Sequence, residues 1–402
     1  MGHRVSEHAA IHWLEAGAAC CARWRSESGL PPPKKIIIAD DTMSADVAYR
    51  LACEGTALLW RGDFQNAKQL LQALARRADK KPRKISAIPS ENFNLHRQAQ
   101  SQRTRILAMI LIPLSHDFSV SLNRAPDVRQ ACLEVYGAEK SGVDKSSTHN
   151  GNSVLALREL LGIIGAHEWR KKGVVITALN VGRVDGDARS LAEQAGRIYP
   201  HYGVFSPVRG EYVELVNTAP LPTTQLAFDI GTGTGVLAAV LARRGVQRVV
   251  ATEQDPRAII CAQENLTRLG LNTQVQIVPA NLFPAGRAPL IVCNPPWIPA
   301  RPSSPIEHAI FDPDSRMLRG FLHGLAAHLE PSGEGWLILS DIAEHLGLRS
   351  RAELLAWIEN AGLKIIARMD TKPHHPKTTD ATDPLHTARA AEITSLWRLG
   401  TR

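Results

Sequence analysis

The chain has 402 residues, 44% of them hydrophobic and 21% charged, with a formal net charge of +8. That composition excludes a fibrous, low-complexity or disordered chain, and the length exceeds what one core usually fills, so two domains are expected. The basic balance weakly favours an anionic partner such as nucleic acid, and a basic surface with no partner fits it equally.

Six cysteines (Cys20, Cys21, Cys53, Cys132, Cys261 and Cys293) show no Cys-x-x-Cys spacing. Cys261 and Cys293 sit inside apolar segments and read as small core residues. A disulfide framework or zinc site is therefore not expected, and the thiols fit a reduced, cytoplasmic protein. The segment Met1-Gly-His-Arg-Val-Ser6 lacks the apolar core of a signal peptide. The longest apolar run, near Ile106–Leu114, is too short to span a bilayer. Neither a membrane nor a metal is expected.

In chain order, Lys34–Ala39 reads as a strand after three prolines, and Ala67–Arg77 as a helix. Ala75–Lys84 is the strongest basic run. Its Arg76, Arg77, Lys80, Lys81, Arg83 and Lys84, with Arg97, Arg103 and Arg105, could track phosphates or simply form a solvated face. Arg105–Ile112 and Val174–Ala178 are expected strands, and Val154–Trp169 an expected helix. Ser141–Ser153 is polar and turn-rich, a candidate loop or linker. A domain boundary is expected near Ala195–Pro200, dividing residues 1–195 from 196–402.

Beyond it the rhythm sharpens. Strands are expected at Leu226–Ile230, Arg248–Glu253, Gln274–Pro279, Leu290–Cys293 and Gly335–Ser340. Helices are expected at Gly235–Arg244, Ala258–Leu269, Asp314–Leu329 and Ala352–Ala361, most of them stopped by glycine or proline. This alternation predicts an α/β fold with a doubly wound, mostly parallel sheet. Leu363–Met369 and Glu392–Leu399 follow with no helix between them, which predicts a terminal antiparallel pair. The long connection Thr371–Ala391 carries His374, His375, Lys377 and His386 and suits a substrate lid.

Two motifs carry chemistry. In Asp229-Ile-Gly-Thr-Gly-Thr-Gly235, the glycines Gly231, Gly233 and Gly235 make a turn where backbone can approach a ligand. Asp229 stands at the strand end, where it can meet a ligand ammonium directly or through the loop. Glu253 closes the next strand and can accept two ribose hydroxyls. Asn281 follows the third strand, within reach of an adenine edge. The glycine spacing alone also fits a dinucleotide. The second motif, Asn294-Pro295-Pro296-Trp297, argues against that. Its prolines remove two donors and leave carbonyls free. The Asn294 side-chain oxygen and the Pro295 carbonyl can hold both hydrogens of an NH2 group, and Trp297 can stack on a flat one. Together the motifs point to methyl transfer from S-adenosylmethionine to a planar nitrogen, by orientation rather than by a strong base. Arg301 and the stretch to Glu307 are placed to shape the pocket entrance.

The segment from about Gly203 onward resembles class I methyltransferases of the N-methylating kind, whose signature is Asn/Asp-Pro-Pro-aromatic. Gly203-Val-Phe-Ser206 and Asn281-Leu-Phe283 are similar to ribosomal RNA guanine-N2 enzymes. Asn294-Pro-Pro-Trp-Ile-Pro299 is also similar to glutamine-N5 and adenine-N6 methyltransferases. Trp297 departs from the commoner Tyr or Phe, and Asn281 from the commoner Asp. The resemblance, which covers about half the chain, implies a Rossmann-like seven-stranded methyltransferase sheet over 196–402; residues 1–195 are expected to form an N-terminal α/β accessory domain for substrate recognition. A degenerate second methyltransferase unit is the alternative for that N-terminal domain. The implied function is S-adenosylmethionine-dependent methylation of an exocyclic base nitrogen, RNA before DNA. The alternatives are methylation of a protein glutamine amide, and a noncatalytic nucleic-acid-binding protein with a vestigial cofactor site.

Overall fold

The structure, a computed structural model, describes residues 9–80, 84–138, 152–180, 196–302, 305–374 and 379–402. Lys81, Arg83, most of the Ser141–Ser153 segment, Ala195, His375 and Lys377 lie outside the described residues. The chain divides into two units, Met1–Ser86 with Asn94–Glu168, and Ala87–Phe93 with Trp169–Arg402.

The first unit is built on a six-stranded sheet. Its strands are β1 (Ala10–Glu15), β2 (Ala18–Arg25), β3 (Lys35–Ala39), β4 (Thr56–Trp60), β5 (Ile110–Leu114) and β6 (Ser153–Ala156), in the order β1-β2-β6-β5-β4-β3. Every residue of β4 is buried, because β3 and β5 flank it and both of its faces are covered. Parallel β3, β4 and β5 lie side by side in chain order, so no strand-order reversal opens a ligand crevice among them.

Three expectations shift before the second sheet is reached. Arg105–Leu107 ends the helix Pro89–Leu107, and the strand begins only at Ile110. Val154–Ala156 belongs to β6, paired on both edges by β2 and β5, so sheet pairing overrides the helical pattern until Leu157. The expected strand Val174–Ala178 shrinks to β7 (Val174–Val175), paired with β8 (Arg197–Ile198), and a 3-10 turn follows at Thr177–Leu179.

The second unit holds a seven-stranded sheet of β9 (Leu226–Ile230), β10 (Arg248–Glu253), β11 (Val275–Pro279), β12 (Ala288–Cys293), β13 (Leu329–Ser340), β14 (Leu363–Thr371) and β15 (Thr394–Thr401). The order is β11-β10-β9-β12-β13-β15-β14. The five strands from β11 to β13 are mutually parallel, and β15 runs antiparallel to both of its neighbours. The expected antiparallel pair is present, but β15 inserts inside β14 and a short helix, His386–Ala391, precedes it.

Alternate residues feed two cores. Ala227, Val249, Val292 and Trp336 face one side with the helices Glu211–Thr218 and Val236–Arg243. Phe228, Ile230, Ile291 and Leu337 face the other with the helices Arg316–His328 and Arg351–Asn360. A sheet covered on both faces needs the near-continuous apolar runs seen in β9 and β12. The chain steps outward from β9 to β11, then crosses back to place β12 on the other side of β9. That reversal opens a crevice beyond the carboxyl ends of β9 and β12.

Candidate active site

A cavity of about 840 Å³ fills that crevice. Asp229, Gly231, Gly233, Glu253, Asn281, Asn294, Pro295, Pro296 and Trp297 all line it. Gly235 does not. Its φ of +83° starts the helix Val236–Arg243, and a Cβ there would stand 3.3 Å from Ala262 Cβ, so it serves helix packing.

The glycine turn is tied from beneath. Asp229, 1% exposed, accepts from Thr232 Oγ1 at 2.6 Å and from the Ala238 N–H at 3.0 Å through one oxygen, Oδ2. These two bonds tie it to the glycine turn and to the first turn of the following helix. Burial raises the Asp229 carboxyl to about 6, the Thr232 and Ala238 hydrogen bonds pull it down, and the charge of Glu253 adds to the rise. Glu253 Oε2 accepts the Gly233 N–H at 3.1 Å, and Oε1 accepts the N–H groups of Gln254 and Asp255 at 2.8 and 3.0 Å. These bonds hold the carboxylate at the cavity wall and leave it acceptor capacity.

Asn281 is placed by its neighbours. Leu282 takes a φ of +68°, its carbonyl accepts from Thr252 Oγ1 at 2.6 Å, and Phe283 stacks on His328 at 4.3 Å. Gly320 and Gly324 make this wedge possible, since a Cβ at either would come within 3.0 Å of Leu282 or Phe283.

On the β12 side, Trp297 Nε1 donates to Asn294 Oδ1 at 2.9 Å. The chain then folds back, with Ile298 bridging Phe311 and its carbonyl accepting the Asp312 N–H. The expected helix start at Asp314 moves to Arg316, because Asp314 and Ser315 have φ of +56° and +53°. Asp312 instead accepts the N–H groups of Met317 and Leu318, and burial raises its carboxyl.

Sequence reasoning missed several lining residues: Arg209, Asp312, Met317, Arg389 and Glu392. Arg209 lies just past the Gly203–Ser206 motif, a usable signal, whereas Glu392 has none nearby. Leu385, Arg389 and Glu392 come from the long connection before β15. Among the described residues, no group of three His, Cys, Asp or Glu side chains could hold a metal, and no helix is long and apolar enough to cross a membrane. All six cysteines are unbridged.

Residues 196–351 match the family described as methyltransferase small domain. The residues of this matched segment fit the cationic cofactor expected from the two motifs, S-adenosylmethionine. The buried Asp229 and the wall carboxylate Glu253 supply negative charge beside a backbone-floored turn.

The domain is similar to a ribosomal protein L11 methyltransferase of Pelotomaculum thermopropionicum, 48% identical over 17% of this chain and 22% of that one. A release factor glutamine methyltransferase of Cereibacter sphaeroides is 30% identical over 45% and 65%. A tRNA1(Val) (adenine(37)-N6)-methyltransferase of a Shewanella species is 26% identical over 37% and 66%. The chain thus spans at most 66% of the length of each of these relatives.

Proposed function

We propose that the protein transfers a methyl group from S-adenosylmethionine to the exocyclic NH2 of an RNA base. The observation that carries the reading is the meeting of the Gly231–Gly233 turn and the Asn294–Trp297 turn on one cavity at the strand-order reversal. In this reading Glu253 accepts the ribose hydroxyls, Asn281 meets the adenine edge, and Asp229 steadies the loop and balances positive charge. The cofactor supplies an electrophilic methyl when bound. Asn294 Oδ1 and the Pro295 carbonyl take the two hydrogens of the acceptor NH2, turning its lone pair toward that methyl. The largely apolar wall of Ile298, Ile310, Phe311 and Leu385 suits a flat base and limits water. Residues 196–402 serve as the catalytic domain and residues 1–195 as the substrate-recognition domain. The net charge of +8 supports an RNA partner.

A protein glutamine amide is the second reading, favoured by the 30% identity to the release factor glutamine methyltransferase. A labelled-cofactor assay tests both, using RNA and protein prepared separately from cells lacking the gene. Label entering RNA supports the first reading. Label confined to protein overturns it for the second, and label in neither overturns both.

A further inference from the structure

The Asn294–Trp297 pair has a support that lies outside its motif. Arg209 Cζ sits 5.0 Å from the centroid of the Trp297 ring. The guanidinium is gripped along its edges: Nε donates to Glu211 Oε1 at 2.7 Å, and Nη2 donates to Glu392 Oε1 at 3.0 Å. The side chains of Glu211 and Glu392 are 5% and 3% exposed. Glu392 is itself fixed, because Ser340 Oγ donates to its Oε1 at 2.7 Å while accepting the Ile342 N–H at 3.0 Å. A planar fork held by two buried carboxylates has little freedom to rotate, so it presents a fixed plate to the indole.

The edge of the indole acts on Asn294. An indole N–H only donates, so it selects the oxygen end of the carboxamide and sets its orientation. A carbonyl oxygen has two lone pairs, and Trp297 uses one. The other is left for an N–H of the acceptor.

We propose that Arg209 is a positioning residue for the methyl transfer proposed above. It fixes the plane of Trp297, and Trp297 fixes the acceptor-facing oxygen of Asn294. The chain of contacts Ser340–Glu392–Arg209–Trp297–Asn294 links the ends of β13 and β12 to the residues before β15 and before the helix Glu211–Thr218. This role rests on the methyl-transfer reading, and two separate readouts keep their failures apart. It also accounts for a tryptophan where Tyr or Phe is commoner, since only the indole carries a ring N–H.

The first readout is 19F NMR of protein labelled with 5-fluorotryptophan. The Trp297 resonance is the one that Trp297→Phe removes. In Arg209→Gln and Arg209→Lys it should shift or broaden, because neither side chain restores the planar fork. Binding of S-adenosylhomocysteine reports that each variant is folded. The second readout is methyl transfer to the RNA acceptor. Arg209→Gln and Trp297→Phe should each lower kcat by about ten- to hundredfold, with S-adenosylhomocysteine affinity nearly unchanged. Because the two residues act in series, the double variant should be no slower than the slower single one. A merely structural role would leave kcat intact while lowering Tm. An unmoved resonance in folded Arg209 variants of an active enzyme overturns the clamp alone, as do kcat losses that multiply. A wild-type protein that methylates no acceptor overturns the methyl-transfer reading, and this role with it.

Discussion

Glu253 and Gly233 are joined across the cavity wall: the carboxylate that ends β10 accepts the loop N–H at 3.1 Å. One side chain therefore shapes the glycine turn and also faces the cavity. Glu253→Ala removes the loop tie together with the charge-assisted hydrogen bonds proposed to the ribose. Affinity for S-adenosylmethionine should fall by roughly 1.5–3 kcal/mol. Glu253→Gln keeps an oxygen for Gly233 and should lose less. Calorimetry with folded variants decides it, and unchanged affinity in Glu253→Ala would reject the assignment.

If Asp229 faces the cofactor as proposed, binding is expected to depend on pH. Burial raises its carboxyl to about 6 in the folded protein, above the unfolded value, so the native state holds this proton more tightly than the unfolded chain does. Its contribution to ligand-free stability is present at low pH and is lost as pH rises through about 6. A cationic cofactor has the opposite preference, since it favours the ionised carboxylate. Affinity for S-adenosylmethionine should therefore tighten as pH rises through that window. Asp229→Asn should flatten both profiles. A cofactor affinity independent of pH between 5 and 7 in the wild type, about one unit either side of the shifted value, would refute the linkage.

The role proposed for Asn294 predicts that alignment and cofactor binding come apart in its variants. Its Oδ1 already accepts from Trp297 at 2.9 Å, so Asn294→Ala removes both the acceptor contact and the anchor of the indole. The expected signature is a kcat lowered by about two orders of magnitude at near-normal cofactor affinity, because the lost contact aligns the reacting nitrogen. Equal turnover in mutant and wild type, or a mutant that simply fails to bind cofactor, would sink the role.

How much of this was legible depended on how local each signal was. The strands β9 to β12 are short apolar runs, and Gly245, Pro256 and Gly270 punctuate the helices between them, so the outline of the second sheet could be read directly. The glycine turn, Glu253 and Asn294 could be read for the same reason: each sits at a strand end that the sequence marks. The clamp could not. Arg209 and Glu392 lie 183 residues apart and meet because the helix Glu211–Thr218 packs against β15. In the first unit, β1 and β2 mix Trp, Cys and Arg without clean alternation, and β4 is a five-residue buried run too short to separate strand from helix by pattern. Pairing partners decided those elements, and pairing is not written locally.

The substrate class turns on the basic run of the first unit. Arg77 is engaged by Asp46 at 2.8 Å and Arg103 by Asp79 at 2.9 Å, so two of the expected phosphate-tracking side chains already have carboxylate partners. Arg76, Lys80 and Lys84 are exposed and carry the test. If they contact single-stranded RNA, each contact should contribute a slope of about −0.7 to the dependence of log affinity on log salt. Changing all three to Gln should then flatten the slope by about 2 and weaken binding alike across sequences. Affinity for S-adenosylhomocysteine should not move, because the substitutions lie outside the cavity of the second unit. Fluorescence anisotropy with labelled RNA over a salt series measures both slopes. An enzyme that methylates a protein glutamine amide has no need of this face. Matching slopes in the triple variant and the wild type would therefore remove the RNA role from these residues and shift the assignment toward the amide.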